Sequence, residues 1–163
     1  MDIKIYPDPV LLKNCESVEK VDDNFISTVS MMVDTMRAAE GIGLAAPQVG
    51  ILQRFFVCLD FDDENKEKTI VLINPEITKM EGRIESKEGC LSIPGFYEYV
   101  YRYEKIEIKA YDLTGKEVIY VPDGIQSVVF QHEFDHLDGI LFPERMSQIK
   151  KDIFMKKINK EFK

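Results

Sequence analysis

The chain is poor in the residues that most often announce chemistry. Its 163 residues contain two histidines, three cysteines and no tryptophan. Chemistry that needs an imidazole can draw only on His132 and His136. The cysteines, Cys15, Cys58 and Cys90, are odd in number and share no paired spacing, which argues against a secreted disulfide framework and for a reducing compartment. Long apolar runs are also missing. Nothing approaches the roughly 20 residues of a membrane span, and the opening Met1-Asp2-Ile3-Lys4-Ile5-Tyr6-Pro7 lacks the apolar core of a signal peptide. These features point to a soluble, cytoplasmic protein with no membrane partner. Positive charge is in deficit, with 21 Lys and Arg against 29 Asp and Glu and a net charge of -8. Sequence-specific nucleic-acid binding is thereby disfavoured, because it is driven by clustered cations. The length suits one domain, 1–163, able to bury a single core.

Local patterns divide the chain. Pro7, Asp8 and Pro9 predict an irregular arm. After Asp22 and Asp23, plausible N-caps, Phe25, Val29, Met32, Val33 and Met36 recur at helical spacing, predicting an amphipathic helix that ends before Gly41. Gly41 to Gly50 shows no period and reads as a loop with close backbone approach. Strands are expected at Arg54–Asp60 and Thr69–Ile73, separated by a charged turn over 62–66, and as a hairpin at Lys105–Ala110 and Glu117–Val121. Asp123 reads as the N-cap of a second helix with Ile125, Val128 and Val129 on its apolar face and Gly139 closing it. A polar C-terminal helix, marked by Ile149, Ile153 and Ile158 among lysines, is expected over about 146–163. This order favours α+β, with short antiparallel strands packed around the second helix.

That helix carries the strongest signal, His132-Glu133-Phe134-Asp135-His136. Histidines four apart lie one turn apart on one face, so both can reach one metal, with the Glu placed to handle a proton of bound water. A chance H-E-x-x-H in this composition arises about once in a thousand. The pattern continues to Gly139, but Phe142 stands where a metzincin needs a third His. The third ligand is then open among Glu144, Glu161 and the cysteines. Cys90, in Glu88-Gly89-Cys90-Leu91-Ser92, has the most distinctive surroundings, whereas Cys58 within a β run and Cys15 read as small buried residues. Glu88, Gln131 and Asp135 are candidates to hydrogen-bond the ligating groups, Asp135 least clearly. An endopeptidase using Glu144, and a non-catalytic protein stapled by a metal, are the competing readings.

Three segments together resemble peptide deformylases: Gly41-x-Gly43-x-Ala45-Ala46-x-Gln48, Glu88-Gly-Cys-Leu-Ser92 and Gln131-His-Glu-x-x-His136. Ile73-Asn-Pro75 and Asp135-His-Leu-x-Gly139 fit as well. The resemblance implies a single catalytic domain whose Cys90, His132 and His136 bind one divalent ion, commonly Fe²⁺, with Ni²⁺, Co²⁺ or Zn²⁺ as replacements. It implies Glu133 as general base and then acid, with Gln48 (side-chain amide) and Leu91 (backbone N–H) donating to an oxyanion. The substrate would be an N-formylmethionyl peptide, attacked by water activated on the metal and releasing formate. Ile42, Leu44, Ile125, Val128 and Val129 are candidates for the methionine pocket, and Gly43 and Gly89 for close pairing with the peptide backbone. A transient ribosome contact through the C-terminal helix is a further implied partner.

Overall fold

The computed structural model describes residues 1–61 and 66–162, and the turn expected over 62–66 therefore lies, except for Lys66, outside the described residues. The first long helix, α1 (Asp23–Ala38), starts where expected: the Asp22 carboxylate accepts from the Phe25 N–H at 3.0 Å, filling one of the donors a helix start leaves unpaired. Phe25, Val29, Met32 and Met36 are buried along one stripe. They cover one face of a five-stranded antiparallel sheet, with Phe25 packed 4.7 Å from Phe55.

That sheet is made of β1 (Gly43–Ala45), β2 (Phe55–Phe61), β3 (Glu67–Glu81), β6 (Lys105–Tyr111) and β7 (Glu117–Tyr120), in the spatial order β1-β2-β3-β6-β7. Two expectations need correction. The segment from Gly41 to Gly50 is not wholly a loop, since Gly43 to Ala45 pair with Phe56 to Cys58 and Ala46–Val49 forms a 3-10 turn. Its small residues hide the period-2 signal. Strand β3 runs far past Ile73, because register shifts around Asn74-Pro75 absorb a proline that otherwise signals a strand end.

Two further strands, β4 (Ile84–Cys90) and β5 (Ile93–Arg102), form a separate antiparallel pair that the sequence reading did not include. Helix α2 (Gly124–Leu137) lies between the two sheets, packing on β1, β2 and β6 and also on β4 and β5. It is buried nearly all round from Ser127 onward, which is why a two-face reading fits it poorly. Asp123 precedes it, but its side chain makes no capping hydrogen bond. Ile125 is 63% exposed, because the first turn projects beyond the sheets. The C-terminal end closes as expected: Gly139 takes φ +69, its N–H bonds the His136 carbonyl, and the Ile140 N–H bonds the Asp135 carbonyl.

Helix α3 (Gln148–Glu161) is more than a solvated tail. Phe154 and Ile158 are buried with Leu11, Ile93, Val100, Leu141 and Phe142, whereas Ile149 (75%) and Ile153 (54%) stay exposed. The apolar markers read from the sequence were thus only partly the packed ones; Phe154 takes the role assigned to Ile153. Among the described residues no helix is long and apolar enough to cross a membrane.

Candidate metal and catalytic site

The last turns of α2 face the end of β4, and that juxtaposition assembles the site. A register shift between Gly89 and Cys90 ends the regular β4–β5 pairing where Cys90 turns toward the helix. Its Sγ lies 3.3 Å from His136 Nε2. One donor atom each from Cys90, His132 and His136 falls within 4.8 Å of the others, a spacing one tetrahedral ion can bridge with small adjustments. Glu144, the alternative third ligand, is instead exposed and paired with Lys151 at 2.6 Å, and Glu161 is exposed on α3. Cys15 and Cys58 are buried outside the cluster, and burial pushes both thiols up, Cys15 to about 11, so both stay protonated at neutral pH.

The donor set is tuned for a cation. Glu88 Oε2 lies 2.8 Å from His132 Nδ1, which leaves Nε2 as that ring's free donor. Arg102 clamps the same carboxylate, Nε to Oε1 at 2.7 Å and a second nitrogen to Oε2 at 3.0 Å. Its remaining nitrogen reaches Asp135, which also accepts two bonds from Arg145. Burial alone would raise the Glu88 carboxyl, but the hydrogen bonds from Arg102 and His132 outweigh it and hold the group at about 2. Asp135 thus supports the ligands through Arg102. Gln131 does not: it bonds Tyr103 and Ser127, tying α2 to the end of β5.

Glu133 has the opposite environment. Its carboxylate is buried, Oε2 has no hydrogen-bond partner among the described residues, and burial raises the carboxyl to about 7. Two carboxylates lining the same cleft are therefore driven in opposite directions, one held as an anion and one raised toward neutrality. Gln48 sits opposite, almost fully buried. Its Oε1 accepts from the Ala45 N–H at 2.9 Å, which aims Nε2 at Cys90 Sγ (3.5 Å) and Ser92 Oγ (3.2 Å).

Gln48, Cys90, His132 and Glu133 line a cleft of about 490 Å³ together with Leu91, Ile42, Gly43, Gly89, Ile125, Val128 and Val129. Leu44 is absent from it. Successive residues of a strand face opposite ways, so Leu44 packs under α1 while Gly43 faces α2. At both glycines a neighbouring side chain occupies the place of a Cβ. A Cβ at residue 43 would collide with the Glu133 carboxylate, and one at residue 89 would lie 2.5 Å from the Tyr97 ring.

Known proteins resemble this chain over nearly its whole length. A family model described as polypeptide deformylase matches residues 1–152. The chain belongs to the peptide deformylase family. The peptide deformylase of Thermodesulfovibrio yellowstonii is 45% identical over 157 residues, covering 96% of this chain and 95% of its own. Among solved structures, the peptide deformylase of Thermus thermophilus is 41% identical with a TM-score of 0.90, covering 98% of this chain and 93% of that one. A peptide deformylase of Synechococcus elongatus, solved with actinonin, is 38% identical with a TM-score of 0.88, covering 97% and 87%. The chain is accordingly a metal-binding hydrolase of the peptide deformylase family, with a Cys-His-His cluster able to hold the ion.

Sequence reasoning overlooked Arg102 and Arg145. Arg102 has no motif around it. A signal was nonetheless present in the alternation Tyr97, Tyr99, Tyr101, Tyr103, whose period of two marks β5 and turns Arg102 to the opposite face.

Proposed function

We propose that this chain removes the N-terminal formyl group from formylmethionyl nascent peptides in the cytoplasm, as a single catalytic domain spanning 1–163. The observation that carries this reading is the buried Glu133 carboxylate, its Oε2 without a hydrogen-bond partner among the described residues, in the same cleft as Cys90 and His132. A metal serving only to staple the fold would not need a proton acceptor so placed. A divalent ion held by those three residues supplies a Lewis acid and lowers the pKa of water; Fe²⁺ is the proposed ion in the cell, with Ni²⁺, Co²⁺ or Zn²⁺ as substitutes for the mixed thiolate and imidazole donors.

The chain's own groups do the rest. Glu133 takes a proton from the attacking water as its oxygen bonds to the formyl carbon. Gln48 Nε2 and the Leu91 N–H donate to the carbonyl oxygen as charge grows there, the Gln48 amide being held in orientation by Ala45. Glu133 then passes its proton to the departing nitrogen, the C–N bond breaks, and formate and a free amino terminus result. Val128 and Val129, on the helix turn before His132, with Ile125 and Ile42 at the mouth, wall off the methionine side chain. The exposed lysines of α3, among them Lys156 and Lys157, are the proposed ribosome contact, and reversing their charge should abolish co-sedimentation with ribosomes while sparing formate release.

The test is formate release from a formyl-methionyl tripeptide, assayed anaerobically after loading with Fe²⁺ or Ni²⁺. Turnover in the wild type and its loss in Glu133→Ala are expected. No formate with any metal would overturn the proposal.

A further inference from the structure

Strand β5 carries tyrosines at alternate positions, and all of them face outward. Tyr97 is 63% exposed and Tyr99 and Tyr101 are 49% each. The β4–β5 register places Gly89 beside Tyr97, Lys87 beside Tyr99 and Glu85 beside Tyr101. These six residues therefore share the outer face of the small sheet, while Ser86, Glu88, Val100 and Arg102 are buried on the inner one. Exposed aromatic rings at consecutive outward positions are an unusual use of surface, since each leaves a large apolar area in water. Two of the three rings are packed against neighbours. The Arg83 guanidinium lies 3.7 Å from the centre of the Tyr101 ring, and the Tyr97 ring fills the space left by Gly89.

This face runs directly into the cleft, because Lys87, Gly89 and Tyr97 line both. We infer that the outer face of β4 and β5 is a platform for the polypeptide segment of the substrate that follows the methionine, its tyrosines packing against apolar and aromatic side chains. The inference rests on the deformylase reading of the cleft. The length agrees: Tyr97 to Tyr101 spans four strand residues, roughly 13 Å, so an extended peptide needs about four residues beyond the cleft to cover it. The charge also selects a peptide over RNA. On this face Arg83 and Lys87 are offset by Glu85, which leaves too little net positive charge to hold a phosphate backbone. Tyrosine supplies broad contact at low entropic cost and tolerates varied sequence, which suits an enzyme meeting many nascent chains.

The test compares KM and kcat for formyl-Met-Ala and for formyl-Met-Ala extended by four apolar residues including one Phe, using the metal-loaded wild type and the double variant Tyr99→Thr/Tyr101→Thr. Threonine keeps β propensity at exposed strand positions, so the fold is retained. Two aromatic contacts predict that extension lowers KM about tenfold in the wild type and less than about twofold in the variant, with kcat unchanged and the short substrate indifferent to the change. An extension benefit that survives in the variant, or one absent from the wild type, overturns the platform. Failure of the short substrate in the wild type would instead overturn the deformylase reading itself.

Discussion

The carboxylate of Glu133 occupies the space that a side chain at residue 43 would need. Gly43 lies on the edge strand β1, facing α2, and the buried Glu133 side chain packs directly against it. Gly43→Ala should therefore displace the proposed proton carrier while leaving the sheet intact. A misplacement of about 1 Å lowers the rate on the order of 100-fold. Steady-state kinetics with circular dichroism as the folding control checks this; an active, well-folded Gly43→Ala would mean that Glu133 tolerates the shift.

The acid side of the rate profile should report Glu133. Burial raises its carboxyl to about 7, and it must be ionised to accept a proton, so kcat/KM should fall tenfold per pH unit below its titration point. A cation held by the neighbouring ligands favours the carboxylate and draws that point down. The acid limb is therefore expected at or below pH about 7, and it should vanish from the residual activity of Glu133→Gln. A profile from full-length protein between pH 5 and 9 decides.

Glu88 makes stability depend on pH in a separate window. Its folded value, about 2, lies below the ordinary 4.5, so the stabilisation is present above pH 4.5 and is lost as pH falls toward 2. The difference corresponds to about 3 kcal/mol. Glu88→Gln should be less stable than wild type at pH 7, because Arg102 loses one of its two ionic partners and keeps only Asp135, and the gap should narrow between pH 4.5 and 2. Urea unfolding of the metal-free proteins at several pH values measures it.

The three cysteines should behave differently. Cys90→Ser is expected to lose most bound metal by elemental analysis, since a serine hydroxyl at neutral pH is a far poorer ligand than a thiolate. Cys58→Ala and Cys15→Ala should keep one ion per chain, at the cost of about 1 kcal/mol or more of stability for a vacated core position. Equal metal content in all three would exclude Cys90 from the cluster.

Helix α3 contributes to the core. Phe154 packs 5.5 Å from Phe142, which in turn stacks 6.2 Å from His132. Phe154→Ala should destabilise the protein by about 3 to 5 kcal/mol, and Ile149→Ala, on the exposed side, by less than about 0.5. Thermal melts of the two variants separate a docked helix from a solvated one.

The parts that could be read in advance were those with a local signature. Helix α1 is declared by its cap and its stripe from Phe25 to Met36, and His132 and His136 by their spacing. Cys90 needed its neighbours to stand out. What escaped was either hidden by proline, as in the long β3, or built from contacts distant in sequence. Arg102 looks like an ordinary surface arginine until β5 turns it inward onto Glu88 and Asp135. Likewise, Leu44 resembles a pocket residue beside Gly43, and only the alternation of β1 sends it to the opposite side. Sequence spacing identifies which atoms can cooperate along one helix; it says little about which strand will meet that helix.

Cys90 and His136 are 46 residues apart in the chain yet 3.3 Å apart at their donor atoms. In an unfolded chain only the histidine pair remains near enough to share an ion, and closing the loop to the thiol costs chain entropy that the folded sheets otherwise supply. Coordination by all three residues would therefore require β4 and α2 to be docked. Release of an ion bound there would report on the whole tertiary structure, and a chelator, by drawing on the same equilibrium, would act as a mild denaturant.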